Sequence, residues 1–573
     1  MKNIKRIFLF CFVLIFSELY SQEDKLGTKV IDIVKSYTPS IADAYKPREV
    51  APPKDSVTIA KKTINYTIYS VPVASTFVPD KGKASRVHTE NKKESLYDSY
   101  IALGAGNYTT LYADTYITLP LNKESEVFFD AHHHSSQGNI SGVDLDNNFA
   151  NTQAQLGYKY SDKDYQFSTA ANISHRLLHW YGVEDKSFLP IDKSLKQNYI
   201  NGGLTGYFNM TNSVFSGVDF LLQGLIDDFK SGETHFKVRP NFKFELDENQ
   251  LVKVNLDVNY LQGKFEKQFQ ENQSLEYQSM LLGVRPSYQF GIENFSIKAG
   301  LGAYYLKLKN IEDSNFKIFP DVEASYDAYG EGLIIYAGLG GDLQQVTYRE
   351  QSLINPYISP TQQFRPTHTA FNLYGGIKGN FLWGLSYNVK ANYGQIKNLP
   401  MFKANPKLST TNYETYQYDN TYSLIYDDAF HLGFLAELGG KVSEKFTFGV
   451  AFKADSFSLD KEKEAWNIPV LSSNISASYK VLPNWNIGTK MFFVGNRKDV
   501  KHSLSTTSEE QVSLEGFFDM NFYTDYTIAN RWTIFANFNN VLGKNYLRWT
   551  NYPVQGFQAL VGVKYQFNLK LNN

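Results

Sequence analysis

Three consecutive histidines, His132-His133-His134, are the first side chains in this sequence whose type and spacing suggest chemistry. Imidazole is the commonest protein metal ligand. In an extended strand, successive side chains point to opposite faces, so His132 and His134 share one face and His133 takes the other. The three therefore cannot converge on one ion, and a polar rim beside Ser135-Ser136 is expected instead of a metal site. His175 and His179, with Arg176 between them, read as a second rim position. Asn172, Ser174 and His175 supply residue types found in hydrolytic sites, but their spacing fixes no nucleophile–base pair. The sequence holds no nucleophile elbow, no phosphate-binding glycine loop and no His-Glu-x-x-His segment. The expectation is a protein that is not an enzyme, with no catalytic residue, no cofactor and no metal.

The elements that carry these residues are legible from periodicity. From about Tyr97 onward, apolar and polar residues alternate strictly. In Val252-Lys253-Val254-Asn255-Leu256-Asp257-Val258-Asn259-Tyr260 every even position is apolar and every odd one polar. Ala154 to Tyr160 and Phe295 to Ala303 repeat the pattern. Period two with unlike faces means a strand between two different solvents. A soluble β-sandwich alternates too, in shorter strands. Here the stretches run about 9 to 14 residues, near the length that crosses a bilayer at a tilt. The 40 Tyr and 42 Phe strengthen the bias toward strands.

The connections alternate as well. Ser161 to Asp164, Asp247 to Gln250, Gly291 to Asn294, Ser443 to Lys445 and Ile528 to Arg531 are tight and polar. Between them lie longer stretches: Val183 to Lys196, Thr347 to Thr367 and Lys397 to Thr421. Short turns on one side and long loops on the other are the mark of a barrel in the outer membrane of a Gram-negative bacterium. Strand starts fall near Ser99, Leu111, Glu126, Ala150, Gln166, Tyr199, Gly217, Thr234, Leu251, Tyr277 and Phe295. They continue near Phe316, Leu333, Ala370, Leu385, Leu424, Phe446, Ile468, Trp485, Val512, Trp532 and Phe557. The predicted fold is all-β: a transmembrane, antiparallel, up-and-down β-barrel of about 22 strands over residues 97–573. Tyr158, Tyr160, Trp485 and Trp532 are expected at the membrane interfaces, where amphipathic rings suit the headgroups.

Composition fits. Mean hydropathy of −0.36 carries no weight against a membrane barrel, whose polar and apolar faces cancel. Lys plus Arg (57) nearly balances Asp plus Glu (58), which gives no electrostatic case for nucleic acid. Lys2, Lys5 and Arg6 followed by the apolar run Ile7 to Phe16 read as a signal peptide, residues 1–21, with Ser21-Gln22 at the cleavage point. That run is about half the ~20 residues a spanning helix needs. The single cysteine, Cys11, lies inside it, so a processed chain has no thiol chemistry. Residues 22–96 are punctuated by Pro39, Pro47, Pro52 and Pro53 and read as an extended N-terminal periplasmic or lumenal segment.

The C-terminal hundred or so residues resemble the end of a TonB-dependent receptor barrel. Pro469 to Tyr479, then Trp485 after a tight turn, resembles a late hairpin of that family, and Gly495-Asn496-Arg497 stands where a Gly-x-Arg often follows. Phe538-Asn539-Asn540-Val541-Leu542-Gly543-Lys544-Asn545-Tyr546, then Tyr552-Pro553, Gly556-Phe557 and Val561 to Phe567, is similar to the family's final strands. The resemblance implies a 22-stranded barrel in binding or transport of a solute. Family members carry a folded plug of well over a hundred residues ahead of the barrel. The 75 residues of 22–96 contain no such pattern, and the loops are short for the family, so the resemblance is to a plug-less relative. Asp55-Ser56-Val57-Thr58-Ile59 loosely resembles the segment by which such receptors engage an energising partner.

Two functions of different class follow. A conduit of this strand number has a lumen too wide for its own side chains to fill, so residues 22–96 are the candidate stopper. Lys253, Asn255, Asp257 and Asn259 on one strand and Lys298 on another are the candidate lumen lining. The alternative is a non-transporting accessory barrel of an outer-membrane assembly or secretion complex. Phe364-Arg365-Pro366 and Asn355-Pro356-Tyr357-Ile358 are its candidate contact points. Outer-membrane lipid is the expected surrounding partner, together with an energising or envelope protein. No substrate is named by the sequence.

Overall fold

Strict alternation leaves every strand with one face for lipid and one for water, and closing the sheet on itself satisfies both while removing its edges. A computed structural model describes residues 97–570, apart from 185–194, 310–314, 382–383, 409–413 and 503–508. The segment 22–96 and its Asp55–Ile59 motif lie outside the described residues, as do residues 1–21, where a signal peptide is expected.

The strands run in chain order as β1 (Ser99–Gly106), β2 (Thr110–Pro120), β3 (Ser125–Ser136), β4 (Phe149–Ser161), β5 (Tyr165–His179), β6 (Lys196–Met210) and β7 (Phe215–Asp227). Then follow β8 (Gly232–Asp247), β9 (Gln250–Phe265), β10 (Leu275–Ile292), β11 (Phe295–Leu308), β12 (Asn315–Asp327) and β13 (Ile334–Gln344). A short helix α1 (Tyr348–Ile354) precedes β14 (Thr367–Phe381), β15 (Leu385–Ala404), β16 (Tyr422–Lys441), β17 (Phe446–Leu459), β18 (Leu471–Leu482) and β19 (Trp485–Val494). The hairpin β20 (Arg497–His502) and β21 (Glu509–Leu514) comes next, then β22 (Phe517–Ile528) and β23 (Trp532–Asn539). The pair β24 (Leu547–Trp549) and β25 (Tyr552–Pro553) leads to the last strand, β26 (Gln558–Phe567).

Twenty-two of these strands form one closed antiparallel sheet, each paired with its neighbour in sequence. The seam joins β1 to β26, with Ser99 opposite Phe567 and Gly106 opposite Leu560. The strand number is the expected one. Two expected starts moved. Val512 lies in the separate β20–β21 hairpin and the barrel strand begins at Phe517. Ile468 lies before β18 and packs on a small cluster of Met401, Trp466 and Val500. Alternation looks the same in a solvent hairpin as in a barrel strand, which is why the first was misplaced. Lys397, expected to open a loop, is inside β15, where a bulge between Ile396 and Leu399 breaks the pattern.

The outward faces carry Leu103, Leu156, Ile173, Leu222, Val258, Leu301, Ile335, Leu373, Leu432 and Val561, all exposed. Such a continuous apolar belt is the outer face expected of a membrane barrel. Near the short-turn end, rings touch in a chain across five consecutive strands: Tyr160 and Tyr165 at 5.0 Å, Tyr165 and Phe208 at 5.8 Å, Phe208 and Phe215 at 6.2 Å, and Phe215 and Phe242, edge to face, at 5.6 Å. The girdle marks the interface at that end. The strands themselves are longer than a membrane requires. β15 and β16 have 20 residues each, against the roughly 9–11 that span a bilayer. The surplus stands beyond the lipid on the long-loop side.

Candidate functional site

That surplus is where the interior changes character. Leu178, Tyr199, Leu225, Leu261, Phe265, Tyr277, Phe402 and Leu424 project inward from the upper strands and meet loop residues in one apolar core. The loops supply Trp180, Tyr348, Ile358, Phe364, Tyr416, Tyr418, Trp549 and Tyr552. Burying each large apolar side chain contributes about 1.5–3 kcal/mol, so a cluster of this size holds the loops over the barrel mouth as a cap.

The longest piece of the cap is the β13–β14 connection. Thr347 caps α1, its side chain accepting the Glu350 N–H at 3.1 Å. The Glu233 carboxylate receives the Tyr348 and Arg349 N–H groups at 2.6 and 3.0 Å and the Tyr277 hydroxyl at 2.7 Å. A carboxylate against the first N–H groups of a helix satisfies donors that otherwise stay open. Tyr348 donates its hydroxyl to Asp227 at 2.9 Å, and Arg176 reaches Ser352 at 3.0 Å while lying over the Tyr199 ring. The chain leaving α1 is held by Trp180, just past β5, and Tyr199 on β6, which both donate to the Pro356 carbonyl.

Loops from the far side of the barrel lock onto this one. Tyr552 stacks on Tyr357 with ring centroids 3.5 Å apart and donates to the Asn420 carbonyl at 2.5 Å. A side chain at Gly182 would start 2.4 Å from the Tyr552 ring, so glycine is needed for that approach. Asn420 in turn donates to the Trp180 carbonyl at 3.1 Å, and Tyr181 to the Pro553 carbonyl at 2.9 Å. The β20–β21 hairpin ties down the last loop through Arg497, which donates to the Leu547 and Arg548 carbonyls, and through Asp499, which accepts from Thr550 at 2.6 Å. Burial pushes the Asp499 carboxyl up and the Arg497 guanidinium down. Asp419, at a left-handed position (φ 56°), is pushed up to about 7, chiefly by burial.

Below the cap the interior is polar. On β9, Lys253, Asn255, Asp257 and Asn259 share the face that carries Leu261 and Phe265 into the cap, two residues apart throughout. Asp257 accepts from Arg239 at 3.1 Å, and Asn259 is buried against His235 at 2.9 Å. Lys298 lies 2.6 Å from Asp321, and Arg285 sits between Asp321 and Asp342 at 3.8 and 3.7 Å. Across the barrel, His431 and Lys453 flank Asp455 at 2.7 and 2.8 Å.

The histidines fall as the strand period requires. His132 faces Asp114 at 3.5 Å, whereas His133 bonds to Thr152 and Ser135 on the other side. Ser174 pairs with Asn201 and His175 with Asn198 on opposite faces of the sheet, so they do not meet. His179 is buried against the Asn148 carbonyl. The expected contact points are corrected at three positions: Ile358 and Phe364 are buried in the apolar cap core and Asn355 is buried beside it, so these side chains help seal the cap and offer no surface. The cap itself was missed in the sequence. The signal available was the aromatic content of the long connections, read there as contact surface.

No family model matches the chain, and no curated protein matches its sequence. Solved structures do match its fold. The FrpB iron transporter of Neisseria meningitidis (F3-3 variant) superposes with a TM-score of 0.63 at 14% identity, covering 83% of this chain and 82% of that one. The outer-membrane receptor FpvA of Pseudomonas aeruginosa PAO1, bound to pyoverdine, gives 0.60 at 12% identity, over 82% and 78%. The copper transporter OprC gives 0.58 at 12% identity, over 82% and 80%. The chain thus shares the closed 22-stranded barrel fold of these outer-membrane proteins.

Proposed function

We propose that this protein is a gated outer-membrane uptake barrel of the TonB-dependent receptor type, in which residues 22–96 replace the full plug as a reduced lumen stopper. The observation that carries the reading is a closed 22-stranded barrel with a polar, charge-paired interior beneath an interlocked cap. A body of that width leaks unless something fills it. Lys253, Asn255, Asp257, Asn259 and Lys298 then line the solute path, and Asp55 to Ile59 engage an energising envelope protein. The iron and copper transporters among its structural neighbours fit solute uptake as a class.

The test is ionic conductance in a planar bilayer. Full-length protein passes little current, and deletion of residues 23–96 produces large current in bursts as the cap opens. Glu233→Ala in that background, which frees α1, makes the current steady. If the deletion and the Glu233→Ala form both stay closed, the uptake reading fails. The accessory-barrel reading then takes its place. It has one observation of its own, the exposed apolar pair Leu353 and Ile354 on the cap helix (55% and 54%), which a partner protein could cover.

A further inference from the structure

A cavity of about 340 Å³ opens between the cap and the inner wall of β11 to β16. Its apolar side is Leu306, Leu308 and Leu343, part of or packed against a second small buried cluster. Its polar side is basic. Lys317 comes from β12, Arg365 from the cap loop and Lys397 from the β15 bulge, with His368 beside them. On β12, Phe316 and Ile318 point outward (78% and 72% exposed), so Lys317 and the buried Phe319 point inward.

The lining of this cavity carries an excess of positive charge. Several interior and rim cations elsewhere face a carboxylate: Lys298 with Asp321, Arg239 with Asp257, Lys309 with Glu276 and Lys403 with Glu509. Among the described residues, Lys317, Arg365 and Lys397 have no carboxylate partner, while the cavity lining holds three such cations and one carboxylate, Asp428. That carboxylate is already engaged, accepting the Asn398 N–H at 2.9 Å. Asn398 holds a left-handed conformation (φ 53°) and also bonds the Pro366 carbonyl, which fixes the cap loop beside the bulge. Like charges gathered at a confined, partly apolar cavity repel one another, and a bound anion relieves that cost. The volume lies within the range of small-molecule sites.

We propose that this cavity binds a small, multiply charged oxyanion, a phosphate ester or a di- or tricarboxylate, held by Lys317, Arg365 and Lys397. The inference deepens the uptake reading by naming a class of solute, and it rests on that reading only for the role of the bound anion. The inward direction of Lys317 favours a soluble anion over a lipid headgroup. Arg365 and Pro366 belong to the cap loop, so occupancy of the site also bears on how firmly that loop is held.

The experiment is isothermal titration calorimetry of the full-length protein in detergent micelles at low salt, with inorganic pyrophosphate and with citrate as probes. One saturable site for either probe is expected, and the probe that binds identifies the anion. Lys317→Gln and Lys397→Gln each weaken it by about tenfold or more, the size of a lost charge-assisted contact. Lys230→Gln, at an exposed pair with Glu266, leaves affinity unchanged. Absence of heat with both probes overturns the site, and so does equal affinity in the Lys317→Gln/Lys397→Gln double variant with its barrel intact by heat-modified gel mobility. Neither result touches the conductance test, so the site can fail while the uptake reading stands.

Discussion

The body of the barrel and its cap are built on the same strands with opposite logic. Along one face of β9 the residues run Lys253, Asn255, Asp257, Asn259 and then Leu261, Gly263, Phe265. The period never breaks, yet the inward side turns from polar to apolar within two residues. In the body the inward side meets water and paired charge, as at Arg239 and Asp257. In the cap it meets folded-back loops, as at Phe265 against Tyr348 with centroids 5.1 Å apart. Height along the strand decides which solvent a side chain sees, so one strand can be membrane wall below and protein core above.

If the cap is a core, it breaks like one. Tyr552→Ala removes the ring stacked on Tyr357 and the bond to Asn420. A cost of about 3–5 kcal/mol is expected, as for other large aromatic truncations in cores. Hydrogen exchange of the β15–β16 and β23–β26 connections should rise sharply while the body keeps its protection. Equal loss in both regions would mean that cap and body fold as one unit.

The body should be sensitive on its other face. Val258→Arg puts a charge on the lipid side and is expected to cost about 2–4 kcal/mol at the bilayer midplane, less near the interfaces, by refolding titration into vesicles. Asp257→Asn, one position away on the inner side, should cost far less. A reversal of that order would refute the assignment of faces.

The smallest effect sharpens the comparison through pH. Asp419 in the cap, near Glu184, Lys407 and Lys501, has its carboxyl raised from the usual value to about 7. A raised acid binds its proton more tightly folded than unfolded, so its contribution is full below about pH 4 and is lost as pH rises through 7. Exchange protection of the cap should therefore fall between about pH 4 and 7 and level off above, and Asp419→Asn should flatten that slope. A slope unchanged in the variant would assign it to another group.

The barrel was legible because alternation is local: two residues suffice to reveal it, and the strand number and the turn rhythm follow. The cap was not, because its contacts are long-range. Tyr357 and Tyr552 are nearly two hundred residues apart and meet only after the sheet has closed. Lys317 and Lys397 are likewise brought to one cavity by register, with nothing in either neighbourhood to pair them. The lumenal face of β9 could be read residue by residue, but the change in what that face meets at Leu261 depends on loops the strand cannot specify.

The seam between β1 and β26 sets an order of assembly. Its partners are the first and last strands of the barrel, so the sheet retains two open edges until the final residues arrive, and such edges invite pairing with foreign strands. The connection that delivers Tyr552 leads directly into β26. The ring that locks the mouth therefore stands just ahead of the strand that completes the wall, and a chain halted between them would carry the lock without a closed barrel to hold it.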